Sequence, residues 1–308
     1  MTTPPFRSGF VCIVGRPNAG KSTLTNAIVG QKVAITSGRP QTTRHVIRGI
    51  VHRPDAQVVL VDTPGLHRPR TLLGERLNDL VRDTLTEVDA VVFCLPADQR
   101  VGPGDRYIAE QLTTLSQGGR TPVVAVATKT DLVPRARLAE HLMAIAELGE
   151  WADIVPVSAV DGFQVDTLVD VLVGHLQPGP PLYPDGELTD EPEIVMVAEL
   201  VREAALEGVR DELPHSLAVV VDEITPREGR DGSDGQPPFL DVRVQLFVER
   251  DSQKAIIIGK GGARLREVGA TARKGIEALL GARVYLDLHV KVAKDWQRDP
   301  KALGRLGF

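Results

Sequence analysis

The sequence is poor in cysteine and in aromatic residues, and each shortage excludes something. Its two cysteines, Cys12 and Cys94, lie inside apolar runs without ligand-like spacing, so neither a disulfide nor a thiolate metal site is expected. Aromatic residues make up 4% of the chain. The cores must therefore be packed with aliphatic side chains, mainly Val, Leu, Ile and Ala.

Long apolar segments are also missing. No stretch approaches the roughly 20 consecutive apolar residues that a membrane-spanning helix needs. The first ten residues, MTTPPFRSGF, lack the charged start and the apolar run of a secretory signal. We therefore expect a cytoplasmic protein.

Charge is unevenly distributed along the 308 residues, a length that suits two domains of ordinary size. The net charge is −5, but residues 251–308 hold twelve Lys or Arg against six Asp or Glu. A basic end on an acidic chain predicts a polyanionic partner, although a mixed solvated surface would have the same composition. The overall acidity argues against broad, nonspecific binding of nucleic acid.

The first 176 residues alternate short apolar runs with stretches of helical period. The runs are β-branched and bounded by Gly, Pro or Asp, as expected for strands that are buried on both faces. The alternation predicts an α/β domain, with a mostly parallel sheet covered by helices on both sides. The predicted strands are Phe10–Val14, Val58–Val61, Ala90–Leu95, Val123–Ala127 and Ile154–Val157, with Arg44–His52 antiparallel to Val58–Val61, and helices are predicted at 21–29, 72–86, 104–117, 135–149 and 164–176.

A change of composition divides the chain after residue 176. Residues 177–193, QPGPPLYPDGELTDEPE, are rich in Pro, Gly and acidic residues, so they are predicted to be a linker. Residues 194–308 then predict a smaller α+β domain with the order helix, strand, strand, helix, helix, strand. Its main elements are expected at 194–211, 217–225, 239–249, 261–280 and 283–292, with a mobile hairpin loop at 228–238.

Residues 15–22, GRPNAGKS, match the phosphate-loop pattern G-x-x-x-x-G-K-[ST] between an apolar strand and a helix. Glycines at both ends let backbone N–H groups wrap a phosphate, and the helix N-terminus reinforces them. Lys21 would neutralise the outer phosphates, and the Ser22 hydroxyl would ligate Mg²⁺. The predicted nucleotide-binding residues of this segment are Gly15, Arg16, Pro17, Asn18, Ala19, Gly20, Lys21, Ser22 and Thr23.

A second phosphate-facing segment, Asp62-Thr63-Pro64-Gly65, follows the apolar run that ends at Val61. An acidic residue at the carboxyl end of a strand can hold the water shell of a metal, and the Gly65 N–H can meet the γ-phosphate. Such a sequence is also common in ordinary turns, but its position after a phosphate loop favours the functional interpretation. The adjoining Leu66 is included among the predicted nucleotide contacts.

Residues 128–131 (TKTD) and 157–159 (VSA) end two later strands and resemble the base-recognition segments of GTPases. The Asp131 carboxylate can accept hydrogen bonds from the N1–H and N2–H₂ groups of guanine, a donor pair that adenine lacks. The bound nucleotide is therefore predicted to be GTP or GDP. The predicted contacts are Thr128, Lys129, Thr130, Asp131, Ser158 and Ala159.

The polar segment 35–45, ITSGRPQTTRH, resembles a first switch loop. In such loops a Thr hydroxyl completes the Mg²⁺ shell only while the γ-phosphate is present. Thr42 and Thr43 are both candidates, with Thr43 favoured, and an ordinary surface loop is the alternative. The predicted metal ligands are Ser22, Thr43 and Asp62, and the predicted catalytic residues are Lys21, Thr43 and Gly65.

Residues 259–262, GKGG, fit the G-x-x-G loop of a KH domain, which brings two helix ends close to a single-stranded RNA backbone. The order of the surrounding helices and strands predicts the bacterial form, type II. Trp296 lies farther along the basic tail, where it could either stack on RNA or anchor the tail to the core. The predicted RNA-binding residues are Ile256, Ile257 and Ile258 as an apolar floor for bases, with Gly259, Lys260, Gly261, Gly262, Arg264, Lys291 and Lys294.

Taken in order, these motifs resemble the Era family of bacterial ribosome-assembly GTPases. They are GRPNAGKS, ITSGRPQTTRH, VDTPGLH, TKTD, VSA and IIGKGG, followed by a tail that ends in LGF. The resemblance implies a Mg²⁺-dependent GTPase that binds the 3′ end of 16S ribosomal RNA and assists maturation of the 30S subunit. It also implies peripheral contact with the inner face of the membrane, and we expect a monomer.

Two positions depart from common GTPase patterns. Thr128 stands where the family has an Asn that ties the base loop to the phosphate loop, so a lower nucleotide affinity is expected. Leu66 stands where Ras-type GTPases place a glutamine that orients the attacking water. Hydrolysis is therefore expected to be slow unless another group orients the water. The resemblance to GTPases with an apolar residue here implies help from a partner or from a monovalent cation such as K⁺, for which Asn18 is the candidate ligand.

Three alternatives compete with this interpretation. A nucleotide-independent RNA-binding protein with a degenerate GTPase domain would not need an intact Lys21, Asp62 and Asp131. A GTPase of tRNA modification, or one with two GTPase domains, would lack the GKGG segment. An ATPase would have no use for Asp131, and competition between nucleotides would reveal it.

Overall fold

The computed structural model describes residues 5–36, 43–66, 69, 71–116, 121–207, 216–227 and 237–308. These residues form two units: the first contains the described residues up to Asp190 except 71–73, and the second contains residues 71–73 and those from Glu191 onward. In the described ranges, every helix is too short or too polar to span a lipid bilayer.

The first unit is built on a six-stranded sheet with the strand order β2-β3-β1-β4-β5-β6. All neighbouring strands are parallel except β2, which pairs antiparallel with β3 at one edge. The predictions of a mostly parallel sheet and of one antiparallel edge pair are therefore confirmed. The strands are β1 (Arg7–Gly15), β2 (Ile47–His52), β3 (Ala56–Asp62), β4 (Ala90–Pro96), β5 (Val123–Thr128) and β6 (Asp153–Pro156).

Alternating side chains of the strands supply two separate cores, one on each face of the sheet. Val11 and Ile13 of β1 pack with the apolar faces of α1 and α5, whereas Cys12 and Val14 pack with those of α2, α3 and α4. Because the strands are covered on both faces, they read as continuous apolar runs rather than as alternating ones. The helices are α1 (Lys21–Val29), α2 (Leu72–Thr86), α3 (Pro103–Ser116), α4 (Arg135–Ala146) and α5 (Val165–His175).

The carboxyl edge of this sheet gathers the predicted nucleotide motifs. The phosphate loop leaves β1, Asp62 is the last residue of β3, and Thr128 is the last residue of β5. Ser158 follows β6 by two residues. Parallel strands end at the same edge, so motifs that are far apart in sequence meet there.

Residues 177–190, which we call the strap, are bound to the first unit although they were predicted to be linker. The buried Gln57 side chain holds the strap backbone, because its Oε1 accepts from Leu182 N at 2.6 Å and from Tyr183 N at 2.9 Å. Gln57 Nε2 also donates to Tyr183 O at 2.9 Å. Farther along, Ile50 N donates to Leu188 O at 2.9 Å, which places the end of the strap beside the edge strand β2.

The second unit has a three-stranded sheet of order β7-β8-β9, in which β8 is antiparallel to β7 and parallel to β9. This arrangement confirms the predicted α+β fold. The elements are α6 (Glu193–Leu206), β7 (Ala218–Pro226), β8 (Phe239–Val248), α7 (Asp251–Ile258), α8 (Ala263–Leu280), β9 (Arg283–Val292) and α9 (Pro300–Arg305). Helix α6 ends at Leu206 rather than near residue 211. Residues 208–211 and most of the predicted hairpin loop (228–236) lie outside the described residues.

Trp296 anchors the tail of the second unit. Its side chain is fully buried, its Nε1–H donates to Ser216 O at 2.9 Å, and its ring stacks on Phe308 with a centroid separation of 5.6 Å. Of the two roles considered for Trp296, the structure therefore favours the anchor. A ring that is buried in this way presents no face to RNA.

Candidate functional site

The phosphate loop joins β1 to α1 and is held by its own backbone. Ala19 N donates to Arg16 O at 3.2 Å, and the Lys21 ammonium donates to Gly15 O at 3.4 Å and to Arg16 O at 3.2 Å. Burial lowers the pKa of Lys21, while the negative charge of Asp62 acts in the opposite direction. The lysine is thus a buried cation at the base of the loop, as its predicted role requires.

Three predicted metal ligands lie around the start of α1. The hydroxyl oxygens of Ser22 and Thr43 are 2.9 Å apart. Asp62 is fully buried, and in the described part of the chain neither of its carboxylate oxygens has a hydrogen bond of acceptable geometry. Burial raises the pKa of Asp62 to about 6, opposed by the charge of Lys21. The alternative candidate, Thr42, lies outside the described residues.

The turn after Asp62 packs directly on the phosphate loop. The Thr63 hydroxyl donates to Ile13 O at 2.8 Å. Gly65 lies so close to the loop that a Cβ added there would be 2.8 Å from Pro17 N. This contact places the predicted γ-phosphate segment, Pro64 included, against the loop that would hold the other phosphates.

Leu66 does not contribute a side chain to this site. It is buried in the core formed on the α2, α3 and α4 face of the sheet. The predicted nucleotide contact at Leu66 would therefore have to be made by its backbone and stays a prediction, because the side chain packs among aliphatic residues. The same burial means that Leu66 cannot orient an attacking water.

Thr128 ties the base-recognition segment to the phosphate loop. Its Oγ1 donates to the carbonyl oxygen of Ala19 at 2.6 Å, in a buried environment. This is the connection that was expected to be weakened by Thr in place of Asn. The hydroxyl is short, but the backbone of β5 brings it close enough to make the bond.

The predicted guanine-recognition residues also meet. Ser158 Oγ donates to Asp131 Oδ1 at 2.8 Å, which orients a carboxylate that is otherwise exposed. Asp161 N donates to Ser158 Oγ at 3.1 Å, so the serine is itself fixed. Thr130 N donates to Val157 O at 3.4 Å, joining the two loops. Ala159 is half-buried against the core beside them.

Asp98 is a residue of this site that the sequence interpretation missed. Its Oδ2 lies 3.4 Å from Lys129 Nζ, the group predicted to cover the base. The one signal in the sequence is an acidic residue two positions after the end of β4, at the same sheet edge. A single aspartate in a loop is too common to be singled out without the fold.

Asn18 and Thr23 also lie where the motif places them, near Gly20 at the N-cap of α1. Asn18 has a positive φ of 62° in the turn of the phosphate loop. Thr23 is exposed on the first turn of α1. Neither position argues against its predicted role.

In the second unit, the GKGG loop makes the sharp turn between α7 and α8. Gly259, Gly261 and Gly262 have φ values of 71°, 58° and 76°, a left-handed region that favours glycine. Lys260 is exposed at the tip of the turn. The loop therefore presents backbone and one cation, as a G-x-x-G loop must.

The isoleucines before the loop divide into exposed and buried positions. Ile256 is 52% exposed, Ile258 is half-buried, and Ile257 is fully buried in the core of the second unit. The prediction that Ile257 supplies a surface for bases is therefore wrong. Three consecutive helical residues point in different directions, so one of them faces the core.

The predicted basic RNA contacts have different surroundings. Arg264 donates through Nη2 to Ala205 O at 3.2 Å and to Glu207 O, so its guanidinium binds the carbonyl end of α6. Lys291 is exposed on β9, and Lys294 is exposed beside a cleft of about 300 Å³. The cleft also contains Glu249, Arg250, Asp251 and Asp295.

These two sites define the class of the protein. A buried lysine and aspartate at a phosphate loop, with a carboxylate fixed for guanine at the same edge, are the features of a P-loop GTPase domain. The helix–strand–strand–helix–helix–strand order with a glycine loop between its adjacent helices is that of a type II KH domain. The chain is thus a GTPase domain followed by a KH domain.

Comparisons with known proteins agree with this class. The family described as "50S ribosome-binding GTPase" matches residues 10–129, and the family described as "KH domain" matches residues 212–297. GTPase Era of Mycobacterium avium (strain 104) is 69% identical over 304 residues, which cover 98% of this chain and 99% of that protein. GTPase Era of Mycolicibacterium smegmatis is 67% identical with the same coverage. The chain belongs to the Era family of GTPases.

Solved structures show the same similarity. The chain superposes with a TM-score of 0.91 and 36% identity on Era in complex with MgGDPNP and nucleotides 1506–1542 of 16S ribosomal RNA. The same values hold for a variant of Aquifex aeolicus Era bound to GDP and AlF₄⁻. Each comparison covers 98% of this chain and 99% of the other.

Proposed function

We propose that this protein is a GTP-driven switch that binds the 3′ end of 16S ribosomal RNA and assists assembly of the 30S subunit. One observation carries the proposal: the phosphate-loop and base-recognition motifs meet at one sheet edge of the first unit, and the second unit has a GKGG loop with Lys260 and Gly261 exposed. A match over 98% of the chain to an Era structure that contains both MgGDPNP and 16S RNA supports it.

The residues present fit a Mg²⁺ ion held together with nucleotide. Both Asp62 oxygens are buried and lack a well-formed hydrogen bond in the described part of the chain, although Ser22 and Thr63 lie close enough to lower the pKa of the carboxyl. Such burial is costly unless a cation or its water shell binds the carboxylate. Ser22 and Thr43 supply hydroxyl oxygens, the hard donors that Mg²⁺ prefers. Among the described residues, no group of three His, Cys, Asp or Glu side chains is placed to hold a metal ion. The other ligands of a Mg²⁺ bound with nucleotide would be phosphate and water oxygens. When bound, the ion supplies charge neutralisation of the phosphates.

The chain's own residues would divide the catalytic work. Lys21 would stabilise negative charge on the outer phosphates, and the backbone N–H of Gly65 would meet the γ-phosphate. Thr43 would place its hydroxyl beside Ser22, where it would complete the Mg²⁺ shell only while the third phosphate is present. The Leu66 side chain cannot orient the attacking water, so GTP hydrolysis without assistance should be slow.

We propose that a monovalent cation bound at Asn18 assists GTP hydrolysis. An ion beside the phosphate loop would add positive charge where the transition state accumulates negative charge. Turnover should therefore be higher in K⁺ than in Na⁺ at matched ionic strength, measured by phosphate release. Identical rates in the two salts would contradict a role for K⁺.

RNA binding is assigned to the exposed parts of the second unit. Gly261 and Lys260 can approach a phosphate backbone, and Ile256 offers apolar surface beside them. Lys291 and Lys294 add exposed positive charge, which contributes a salt-dependent and sequence-independent part of the affinity. Contact with the inner membrane face and the monomeric state stay predictions from the resemblance.

The decisive experiment measures binding of a short single-stranded RNA that matches the 16S 3′ end, with a GTP analogue, with GDP and with neither. A switch should give an affinity that changes with the nucleotide. Equal affinity in all three states would mean that the two units are uncoupled and that the GTPase acts on something else.

A pair of glycine variants separates loop chemistry from folding. Gly261→Asp puts a carboxylate where phosphate should lie, and Gly281→Asp adds the same charge at the other end of α8. The two glycines have φ values of 58° and 60°, and a Cβ at either one meets nothing within 4 Å. RNA affinity should collapse in the first variant only. Equal losses in both would indicate a nonspecific charge effect and would overturn the assignment of the loop.

A further inference from the structure

The side chain of Arg16 leaves the phosphate loop and enters a socket on α3. Its Nε lies 2.6 Å from Asp105 Oδ1, and the Asp105 side chain is only 1% exposed. The other carboxylate oxygen, Oδ2, accepts from Gly102 N at 2.8 Å. Both oxygens of Asp105 are therefore used, one to fix the start of α3 and one to hold the arginine.

Gly104 makes room for this arginine. A Cβ added at Gly104 would lie 2.8 Å from Cδ of Arg16 and 3.3 Å from its Cγ. The first of these distances is too short for real carbon atoms, so the arginine stem would have to move. The sequence Gly102-Pro103-Gly104-Asp105 thus shapes a socket that fits the stem and pairs the guanidinium.

The backbone of Arg16 is itself part of the nucleotide site. Its carbonyl oxygen accepts from Lys21 Nζ at 3.2 Å and from Ala19 N at 3.2 Å. Arg16, whose side chain is held by Asp105, therefore supports both Lys21 and the turn of the loop through its backbone carbonyl. A displacement of the Arg16 backbone would therefore disturb both groups.

We propose that Asp105 and Gly104 are positioning residues for nucleotide binding, which hold the phosphate loop in its binding geometry through Arg16. The buried carboxylate also keeps the arginine charge away from the path of the phosphates, so that Lys21 remains the cation of the loop. Helix α3 thereby supports the phosphate loop at Arg16, in addition to the hydrogen bond that Thr128 makes to Ala19 O.

The first test is Asp105→Asn, which removes the charge and keeps the shape. We expect about tenfold weaker binding of both GDP and GTP, through faster release, with the preference for guanine over adenine nucleotides unchanged. The matched control is Asp89→Asn, a partly buried aspartate of the same unit whose Oδ2 accepts from Phe10 N at 2.8 Å. Asp89→Asn should lower the melting temperature about as much as Asp105→Asn does, but it should leave nucleotide affinity unchanged.

The second test, Gly104→Ala, separates positioning from stability. Alanine is a better helix residue than glycine, so the melting temperature should stay the same or rise. Nucleotide affinity should nevertheless fall about tenfold, because the new methyl group displaces the Arg16 stem. A general weakening of the fold cannot make these two measurements move in opposite directions.

A double-mutant cycle tests whether Asp105 and Gly104 act through Arg16. In an Arg16→Ala background neither Asp105→Asn nor Gly104→Ala should reduce affinity further, because the stem they position is gone. Additive losses in that background would overturn the proposal. Unchanged or tighter nucleotide binding in folded single variants would overturn it as well.

Discussion

Thr128 shows how a single side chain can replace another of different length. The Asn expected at this position would reach the phosphate loop with an amide, whereas the threonine makes a 2.6 Å hydrogen bond to Ala19 O. The bond is buried, so its loss would take a hydrogen-bond donor away from a buried carbonyl oxygen. The link between base loop and phosphate loop is therefore kept with one donor.

Replacing this donor should weaken both stability and binding. Thr128→Val keeps the shape and removes the hydroxyl, so we expect a loss of about 1–3 kcal/mol in the free energy of unfolding. Nucleotide affinity should fall with it, as measured by titration calorimetry. Thr25→Val is the control, because that equally buried hydroxyl donates only within its own helix, to Lys21 O. Equal effects of the two variants would contradict a special role for Thr128.

Asp131 is the residue on which nucleotide choice depends. Its carboxylate is exposed apart from the hydrogen bond donated by Ser158, so it is free to accept two donors from guanine. Asp131→Asn should weaken GTP binding by roughly 5- to 150-fold, the range of one bidentate pair at about 1–3 kcal/mol. Xanthosine triphosphate should then compete with GTP. Unchanged affinity and unchanged base preference would refute the assignment.

Motif residues could be predicted from the sequence because their chemistry is fixed by the ligand. Lys21, Asp62 and Asp131 are examples, and the structure gathers all three at one sheet edge. Their protein partners could not be predicted in this way. Asp98 and Asp105 are single acidic residues in loop and helix, and only the fold shows that they pair with Lys129 and Arg16.

The strap is the element that composition alone misrepresented. Its Pro, Gly and acidic residues offer little apolar surface, and from that a linker was predicted. Binding here comes from the backbone instead: one Gln57 side chain satisfies two N–H groups and one carbonyl. Hydrogen bonding of this kind leaves no periodicity in a sequence.

Gln57→Leu should release the strap while the sheet stays folded. The leucine cannot accept from Leu182 N or Tyr183 N, so amide hydrogen exchange should accelerate at these two residues and in the part of the strap that follows them. The Ile50 amide, which donates to Leu188 O, should also exchange faster. Tyr183→Phe is the control, since it removes only the 2.7 Å hydrogen bond to Asp190. Protection that persists in Gln57→Leu would show that other contacts hold the strap.

At the scale of the whole molecule, two buried thiols couple stability to pH. Burial raises the pKa of Cys94 to about 12 and raises that of Cys12 from its ordinary value of 9.0. Below about pH 9 both states hold the thiol protons, so the contribution to stability is fully present. Above it the unfolded chain loses them while the folded chain keeps them, and stability declines.

The expected slope can be measured by urea unfolding between pH 8 and pH 11. Each thiol should contribute up to about 1.4 kcal/mol per pH unit. The double variant Cys12→Ala, Cys94→Ala should show a flatter decline. In addition, neither thiol of the folded protein should react with Ellman's reagent at pH 8, and rapid reaction in native buffer would contradict the burial.

The architecture was more predictable than the details because buried strands and helices leave strong periodic signals. The continuous run FVCIV predicts a strand buried on both faces, and β1 has separate cores on its two sides. Ile257 shows the limit of the same signal. An apolar residue in a short helix suits either a core or a binding surface, and only packing decides between them.

The strap also bears on how the chain is made. Strand β2 forms one edge of the sheet, and an open edge can pair with the strand of another chain. The strap that covers this edge lies far downstream in the sequence, since 135 positions separate His52 of β2 from Glu187 of the strap. At ordinary rates of synthesis the edge would stay uncovered for on the order of ten seconds on each growing chain. The strap, which is synthesised after β2, therefore covers an edge that could otherwise pair with another chain. Chains truncated before the strap should be prone to aggregate.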